Sequence, residues 1–292
     1  MLWRGRRESS NIEDRRGGRR SGGMTRAVGG GGLGLVILVV IASLLGVDPS
    51  ALLQGLNSSG EPVRTERAPS GGGKMSAGAR DEMRRFVGVV LADTEDVWTK
   101  IFSRHNGQYE KPTLVLFTSR VQSACGFAKA ATGPFYCPGD RRIYIDLGFY
   151  ELLKRNFAAP GDFAQAYVIA HEVGHHVQNL TGILGKFNQA RRTMSAADAN
   201  RYSVRIELQA DCYAGIWARF ARNKGYVQRG DLDEALNAAR QIGDDAIQKR
   251  TQGYVVPDSF NHGSSEQRRR WFLVGYEKGA VSACNTLASD RL

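Results

Sequence analysis

Asp162 to Leu180 reads DFAQAYVIAHEVGHHVQNL. Pro160-Gly161-Asp162 supplies a helix start before it, and Thr181-Gly182 a stop after it. Inside lies His171-Glu172-Val173-Gly174-His175, an H-E-x-x-H motif. Residues four apart on a helix project about 40° from one another, so both imidazoles reach one side and can share one ion. Glu172 follows the first of them and can reach a water on that ion without binding the ion itself. Zinc in such a site brings the water's pKa toward neutrality; the carboxylate takes the proton and later passes it to a leaving amine. With 5 histidines in 292 residues, composition alone yields this motif about 0.004 times per chain. Val168, Ile169, Ala170, Val173 and Val177 surround it, and among them polar groups are costly without a metal or other partners. Chance is a poor explanation.

A catalytic zinc takes three protein ligands and keeps one position open. Gln178 and Thr181 stand where the extended motif would carry a glycine and a third histidine, so the third ligand comes from elsewhere. Glu207-Leu208-Gln209-Ala210-Asp211, on a helix expected from about 195 to 224, is the best candidate. Glu207 would bind zinc, and Asp211 would accept a hydrogen bond from a ligating imidazole and fix its tautomer. Alone, an acidic pair one turn apart is ordinary solvated surface. The upstream motif is what gives it meaning.

His262, in Asn261-His262-Gly263 before a capped helix, is a candidate donor to the oxyanion of the reaction, weighed against an exposed loop histidine. Tyr254 is the second choice. His176 points about 100° away from His175, which suits a supporting or surface position. Asp244 and Asp245 are candidate supports, weighed against solvated carboxylates.

Around this centre the chain reads as α+β, mostly helical with a small sheet. Residues 80–104 carry Met83, Val87, Val90, Leu91, Val97 and Ile101 at helical spacing. Residues 113–118 (TLVLFT) and 142–146 (RIYID) are β-branched and aromatic runs expected as strands. From about residue 149 the pattern is helical, with capping boxes expected at Ser195 with Asp198, Asp231 with Glu234, and Ser264 with Gln267.

The N-terminal part has a different character. Residues 1–27 carry eight arginines against Glu8, Glu13 and Asp14, within a formal net charge of +11. No nucleic-acid module follows them, so nucleic acid is not an expected partner. Val28 to Val47 is uncharged and apolar, and twenty helical residues span about 30 Å, a bilayer core. The expectation is a basic cytoplasmic tail (1–27), a transmembrane helix (28–47), a flexible Ser/Gly/Pro-rich linker (48–75) and a zinc metallopeptidase domain (76–292). The arginines before the span put the N-terminus in the cytoplasm and the domain in the periplasm or outside the cell. Cys125, Cys137, Cys212 and Cys284 allow three pairings. Outside the cytoplasm disulfides are expected, with Cys125–Cys137 across a short loop favoured, then Cys212–Cys284.

The sequence resembles the bacterial neutral zinc metallopeptidases, within the broader glutamate-zincin group. The likeness rests on Cys125-Gly126, Gly133 to Pro138 (GPFYCP), His171 to His176, Glu207 to Gly215 (ELQADCYAG), Ile242 to Asp245 (IGDD) and His262 to Ser265 (HGSS). It implies a zincin-like fold, zinc held by His171, His175 and Glu207, and Glu172 as the catalytic residue. The function expected is a zinc-dependent endopeptidase of the bacterial cell membrane, acting on extracytoplasmic proteins or peptides. The alternative is a membrane-tethered zinc-binding scaffold or an inactive peptidase-like binding protein. Glu172 favours the enzyme, since a purely structural site needs no base beside its ligand.

Overall fold

The computed structural model describes residues 1–16, 77–130, 133–156, 159, 161–290 and 292. The strands are Ile12–Asp14 (β1), Thr113–Phe117 (β2), Arg120–Ser123 (β3), Gly126–Lys129 (β4), Phe135–Cys137 (β5) and Arg142–Asp146 (β6). The α-helices are Ala77–Arg104 (α1), Gly148–Asn156 (α2), Asp162–Leu180 (α3), Ile183–Ala190 (α4), Ala196–Asn223 (α5), Asp231–Gln241 (α6), Asp244–Gln252 (α7) and Ser265–Lys278 (α8). The architecture is α+β, mostly helical with a small sheet, as expected.

Both expected strands form, and their period-2 side chains explain how the sheet is covered on both sides. β2 and β6 pair in parallel, with Leu114 beside Ile143 and Leu116 beside Ile145. These four point into the helical core. Val115, Phe117 and Tyr144 point the other way, into a smaller core closed by Val121 and Ala128 of the β3–β4 hairpin. β5 adds to β6 antiparallel, giving the order β1-β2-β6-β5. The Cys125–Cys137 disulfide ties the hairpin turn to β5, and Cys212–Cys284 ties α5 to the 3-10 turn Val281–Cys284. Both favoured pairings are therefore present.

The helical core is built on close backbone approaches. A Cβ on Gly174 of α3 would lie 3.0 Å from the Ala210 Cα and carbonyl oxygen of α5. A Cβ on Gly275 of α8 would lie 1.9 Å from the Cys212 carbonyl oxygen of α5. At Gly275 only glycine lets the helices meet, and at Gly174 any side chain would push them a few tenths of an ångström apart. Phe163, Tyr167, Trp217 and Phe272 fill the space around them, fully buried, each side chain contributing about 1.5–3 kcal/mol by leaving water.

Several expectations need correction. Residues 1–16 are not a free basic tail: β1 pairs in parallel with β2, Ile12 beside Leu114. Trp3 packs edge-on against Phe86 at 5.5 Å. Arg6 pairs with buried Asp93, and Arg7 pairs with Asp96 (2.6 Å) and Glu95 (3.3 Å). The arginines thus meet acids some eighty residues ahead of them on α1. Residues 1–16 accordingly pack against β2 and α1. The membrane helix does not stand as part of the fold: among the described residues no helix is long and apolar enough to cross a membrane. Residues 28–47 and the expected linker 48–75 lie outside the described residues. The capping box at Asp231 does not form either. Gly230 is the N-cap of α6, and the Glu234 carboxylate instead accepts from the Phe163 backbone N–H at the start of α3. The other two caps hold, Ser195 accepting from Asp198 and Ser264 forming a full box with Gln267.

Glu95 anchors the N-terminal strap. It is 1% exposed and accepts from the Ser9 hydroxyl and from the Asn11 amide at 2.7 Å. Burial alone would raise its pKa, but those hydrogen bonds, the Lys111 charge and a hydrogen bond from Arg7 outweigh it and hold the carboxyl below its usual range. A carboxyl depressed on folding stabilises above its unfolded pKa, and that stability is lost as pH falls through the folded value. Glu95→Ala should therefore cost about 1.5–3 kcal/mol at neutral pH, with the difference from wild type shrinking on acidification. Denaturant melts at pH 7 and pH 4 check this, and equal midpoints at pH 7 would contradict it.

Candidate metal centre

α3 and α5 cross where Gly174 meets Ala210, and the polar residues flanking that contact face one another. His171 Nε2 lies 3.2 Å from His175 Nε2 and 3.2 Å from Glu207 Oε2. His175 Nε2 lies 3.5 Å from Glu207 Oε1. Two ligands about 2.0–2.1 Å from a tetrahedral ion sit about 3.3 Å apart, which is the spacing found. These three residues form a cluster whose ligand atoms all lie within 4.8 Å of one another.

The outer ring nitrogens explain what the cluster asks for. His171 Nδ1 lies 2.8 Å from Asp211 Oδ1, and His175 Nδ1 lies 2.9 Å from Gln178 Oε1. Both Nδ1–H groups are committed to oxygen acceptors, so both Nε2 atoms turn their lone pairs toward Glu207 and toward each other. Something positive has to sit among them. Without an ion that is a proton: burial lowers the His171 pKa, but the Asp211 charge and the hydrogen bonds to Asp211 and Glu207 outweigh it and raise it to about 10. Glu207 goes the other way. Burial favours its neutral form, yet the His175 charge and the bonds from both histidines hold it well below the usual carboxylate range. Two imidazoles and one carboxylate are the donor set of a catalytic zinc, and the residues fit such an ion.

Glu172 is buried beside this cluster. Burial raises its pKa, more than the neighbouring His175 and His171 charges lower it, which suits a group that must take up a proton and release it. His262 is brought to the cluster from the loop before α8. Its Nδ1 lies 3.1 Å from Asp244 Oδ1, while Asp244 Oδ2 accepts the backbone N–H groups of Asn261, His262 and Gly263 at 2.8, 2.7 and 3.1 Å. Burial lowers the His262 pKa, but the charges of Asp244 and Glu207 raise it overall, so the ring lies in the field of the ligand carboxylate. Asp244 is thus a support and no solvated carboxylate. Asp245 caps α8 instead, accepting from the Ser265 N–H at 2.7 Å. Tyr254 is 63% exposed, and no hydrogen bond or ring contact among the described residues fixes its side chain.

His176 is wholly buried, which corrects the surface reading. Its Nε2–H donates to the Glu110 carbonyl at 2.7 Å, and its Nδ1 accepts from the Tyr136 hydroxyl at 3.0 Å. Burial keeps its pKa low, as that neutral pattern requires. It joins α3 to β5 on the side away from the ligands.

Three residues of the centre went unread in the sequence. Gln178 was seen only as the wrong residue for an extended motif, yet it orients His175; its Nε2 donates to the Ile206 carbonyl and to Gln209. Tyr167 donates its hydroxyl to Asp211 at 2.5 Å. Arg268 is buried against Asp211. Its signal is its place on the stripe Arg268, Trp271, Phe272, Gly275, an i, i+3, i+4, i+7 set whose other members are buried.

Comparison with known proteins agrees with this centre. The profile of a family described as "Putative neutral zinc metallopeptidase" matches residues 1–287. The uncharacterized protein YpfJ of Escherichia coli (strain K12) is 46% identical over 295 residues, covering 99% of this chain and 100% of that one. The uncharacterized protein Rv2575 of Mycobacterium tuberculosis (strain ATCC 25618 / H37Rv) is 40% identical over 265 residues, covering 86% of each. No solved structure matches.

An ion entering this cluster must displace the proton on His171, which is held below about pH 10. Glu207 is ionised throughout and adds no proton of its own. Zinc affinity should therefore rise with pH, by about tenfold per unit for one displaced proton. Chelator competition between pH 6 and pH 8 measures it, and a flat profile would contradict the proton-for-metal exchange.

Proposed function

Because this chain belongs to the neutral zinc metallopeptidase family, we propose that it is a zinc-dependent endopeptidase whose reaction is run by Glu172. The observation that carries the reading is the inward convergence of His171 Nε2, His175 Nε2 and Glu207 with both Nδ1 positions already committed. His171, His175 and Glu207 would hold the zinc. Bound there, zinc supplies Lewis acidity, polarising the substrate carbonyl and acidifying a water.

The chain's own residues do the rest. Glu172 takes a proton from the attacking water as its oxygen adds to the peptide carbonyl carbon. It then gives that proton to the departing amine nitrogen as the C–N bond breaks. His262, aimed by Asp244, donates to the carbonyl oxygen as negative charge builds there, and Asp244 keeps the ring from turning away. Asp211 and Gln178 hold the two ligand imidazoles in the tautomer that faces inward. The substrate is a protein or peptide. The place of action is an oxidising compartment, because Cys137, Cys212 and Cys284 are wholly buried in disulfides and such bonds persist where thiols are not kept reduced.

The test is zinc content and cleavage of an unfolded protein by wild type, Glu172→Gln, Glu207→Ala and His262→Ala. Wild type and Glu172→Gln should each carry one zinc per chain, with cleavage in Glu172→Gln reduced by about 10²–10⁴. Glu207→Ala should lose zinc. His262→Ala should keep zinc and lose about 10²–10³ in kcat. Zinc in wild type with no cleavage of any unfolded protein or peptide would favour a zinc-binding scaffold. Absence of zinc from folded wild type supplied with the metal would end the proposal.

A further inference from the structure

We infer that Arg268 is a positioning residue of the metal centre: its guanidinium fork holds Asp211 in the one orientation that keeps His171 Nε2 turned toward the ion. The inference rests on the zinc-site reading above and concerns a residue that touches neither ion nor substrate. Arg268 is 3% exposed. Its Nε lies 2.9 Å from Asp211 Oδ2 and its Nη2 lies 3.0 Å from Asp211 Oδ1. This is the two-pronged pairing that a planar guanidinium makes with a carboxylate. Its Nη1 donates to the Ile242 carbonyl at 3.3 Å, and its Nη2 to the Tyr167 hydroxyl at 3.3 Å.

Asp211 has two tasks that conflict unless something pins it. Oδ1 must accept from His171 Nδ1 at 2.8 Å, because a proton on Nδ1 leaves Nε2 free to bind metal. The same carboxylate is wholly buried one helical turn from Glu207, and a carboxylate free to rotate could turn toward a cation and compete as a ligand. The fork removes that freedom by occupying both oxygens at once. The Tyr167 hydroxyl, 2.5 Å from Oδ1, closes the remaining side. Arg268 Nη2 also comes within 3.5 Å of His171 Nδ1. Both are donors when Nδ1 carries its proton, so this approach is no bond, and the effect of Arg268 on His171 runs through Asp211.

α8 delivers the fork because Gly275 and Gly215 let it lie directly on α5. Lysine would keep the charge but hold one oxygen as a single point, leaving the carboxylate free to swing. Arg268 therefore acts by geometry, and charge alone does not replace it.

The experiment transfers zinc from the holoenzyme to a competing chelator in wild type, Arg268→Lys, Asp211→Asn and the double variant. Thermal melts and KM and kcat for one peptide are measured beside it. Arg268→Lys should weaken zinc retention about 10–100-fold, with KM unchanged. In the Asp211→Asn background the same substitution should weaken it no further, since the two residues act as one unit. Arg268→Met combined with Asp211→Asn, neutral at both places, supplies the comparison if the lysine variant does not fold. An Arg268→Lys that melts lower yet keeps zinc as tightly as wild type would overturn the inference, as would losses that simply add in the double variant. If wild type holds zinc and Arg268→Lys holds it equally, this inference fails alone; a wild type without zinc takes the parent reading down as well.

Discussion

The contact between Gly174 and Ala210 is what the rest of the structure depends on. An H-E-x-x-H turn supplies two ligands from one helix, and a third can join them only if a second helix comes nearly into backbone contact. A methyl group at Gly174 would meet Ala210 backbone atoms at 3.0 Å, so the glycine between Val173 and His175 sets the separation of α3 and α5. Glu207 lies three residues before Ala210 and Asp211 directly after it: Ala210 takes the contact, Glu207 reaches the ligand atoms, and Asp211 reaches the back of His171. The same device recurs between α5 and α8, where Gly275 meets Cys212. Cys212 is in turn bonded to Cys284, so the helix bearing the third ligand is fixed along its length.

Electrostatics then follows from packing. Glu172 and Asp211 are buried beside the half-buried Glu207, with Asp244 buried as well. Carboxylates so placed repel one another unless cations stand between them. Arg268 answers Asp211, His262 answers Asp244, and the two ligand histidines answer Glu207. Glu172 is the one whose pKa moves up. That asymmetry separates the base from the ligand: the same residue type is held ionised where imidazoles bond to it and is made proton-accepting where burial dominates.

What the sequence made legible was local. The i, i+4 spacing of His171 and His175, the caps at Ser195 and Ser264, and the β-branched runs of β2 and β6 each act within a few residues, and each formed where expected. The E-x-x-x-D pair was legible because its spacing carries the same helical rule. What stayed hidden was long-range pairing. Nothing near Arg6 or Arg7 says that Asp93, Glu95 and Asp96 await them, so a dense run of arginines reads as a charged tail beside an apolar segment. Glu234 looks like the partner of Asp231 three residues before it, but the start of α3 offers it a better-placed N–H. Arg268 sits in a run of three arginines, and only its register with Trp271 and Phe272 marks the one that turns inward.

The two adjacent histidines show how little tolerance the arrangement has. His175 and His176 differ by about 100° around α3, and the motif alone does not forbid either from facing the ion. A helix rotated to bring His176 round would carry His171 away, because residues five apart project about 140° from one another. The structure fixes the choice from both sides. His175 is drawn inward by Gln178, which is itself anchored to α5 through Ile206 and Gln209. His176 is drawn outward by Tyr136 of β5 and the Glu110 carbonyl before β2, and Asn179 steadies the same tyrosine hydroxyl at 2.8 Å. Helix α3 is therefore gripped between α5 and the sheet, and neither grip can slip without the other. The sheet, which supplies no ligand, takes part in the metal centre by denying its helix the freedom to turn.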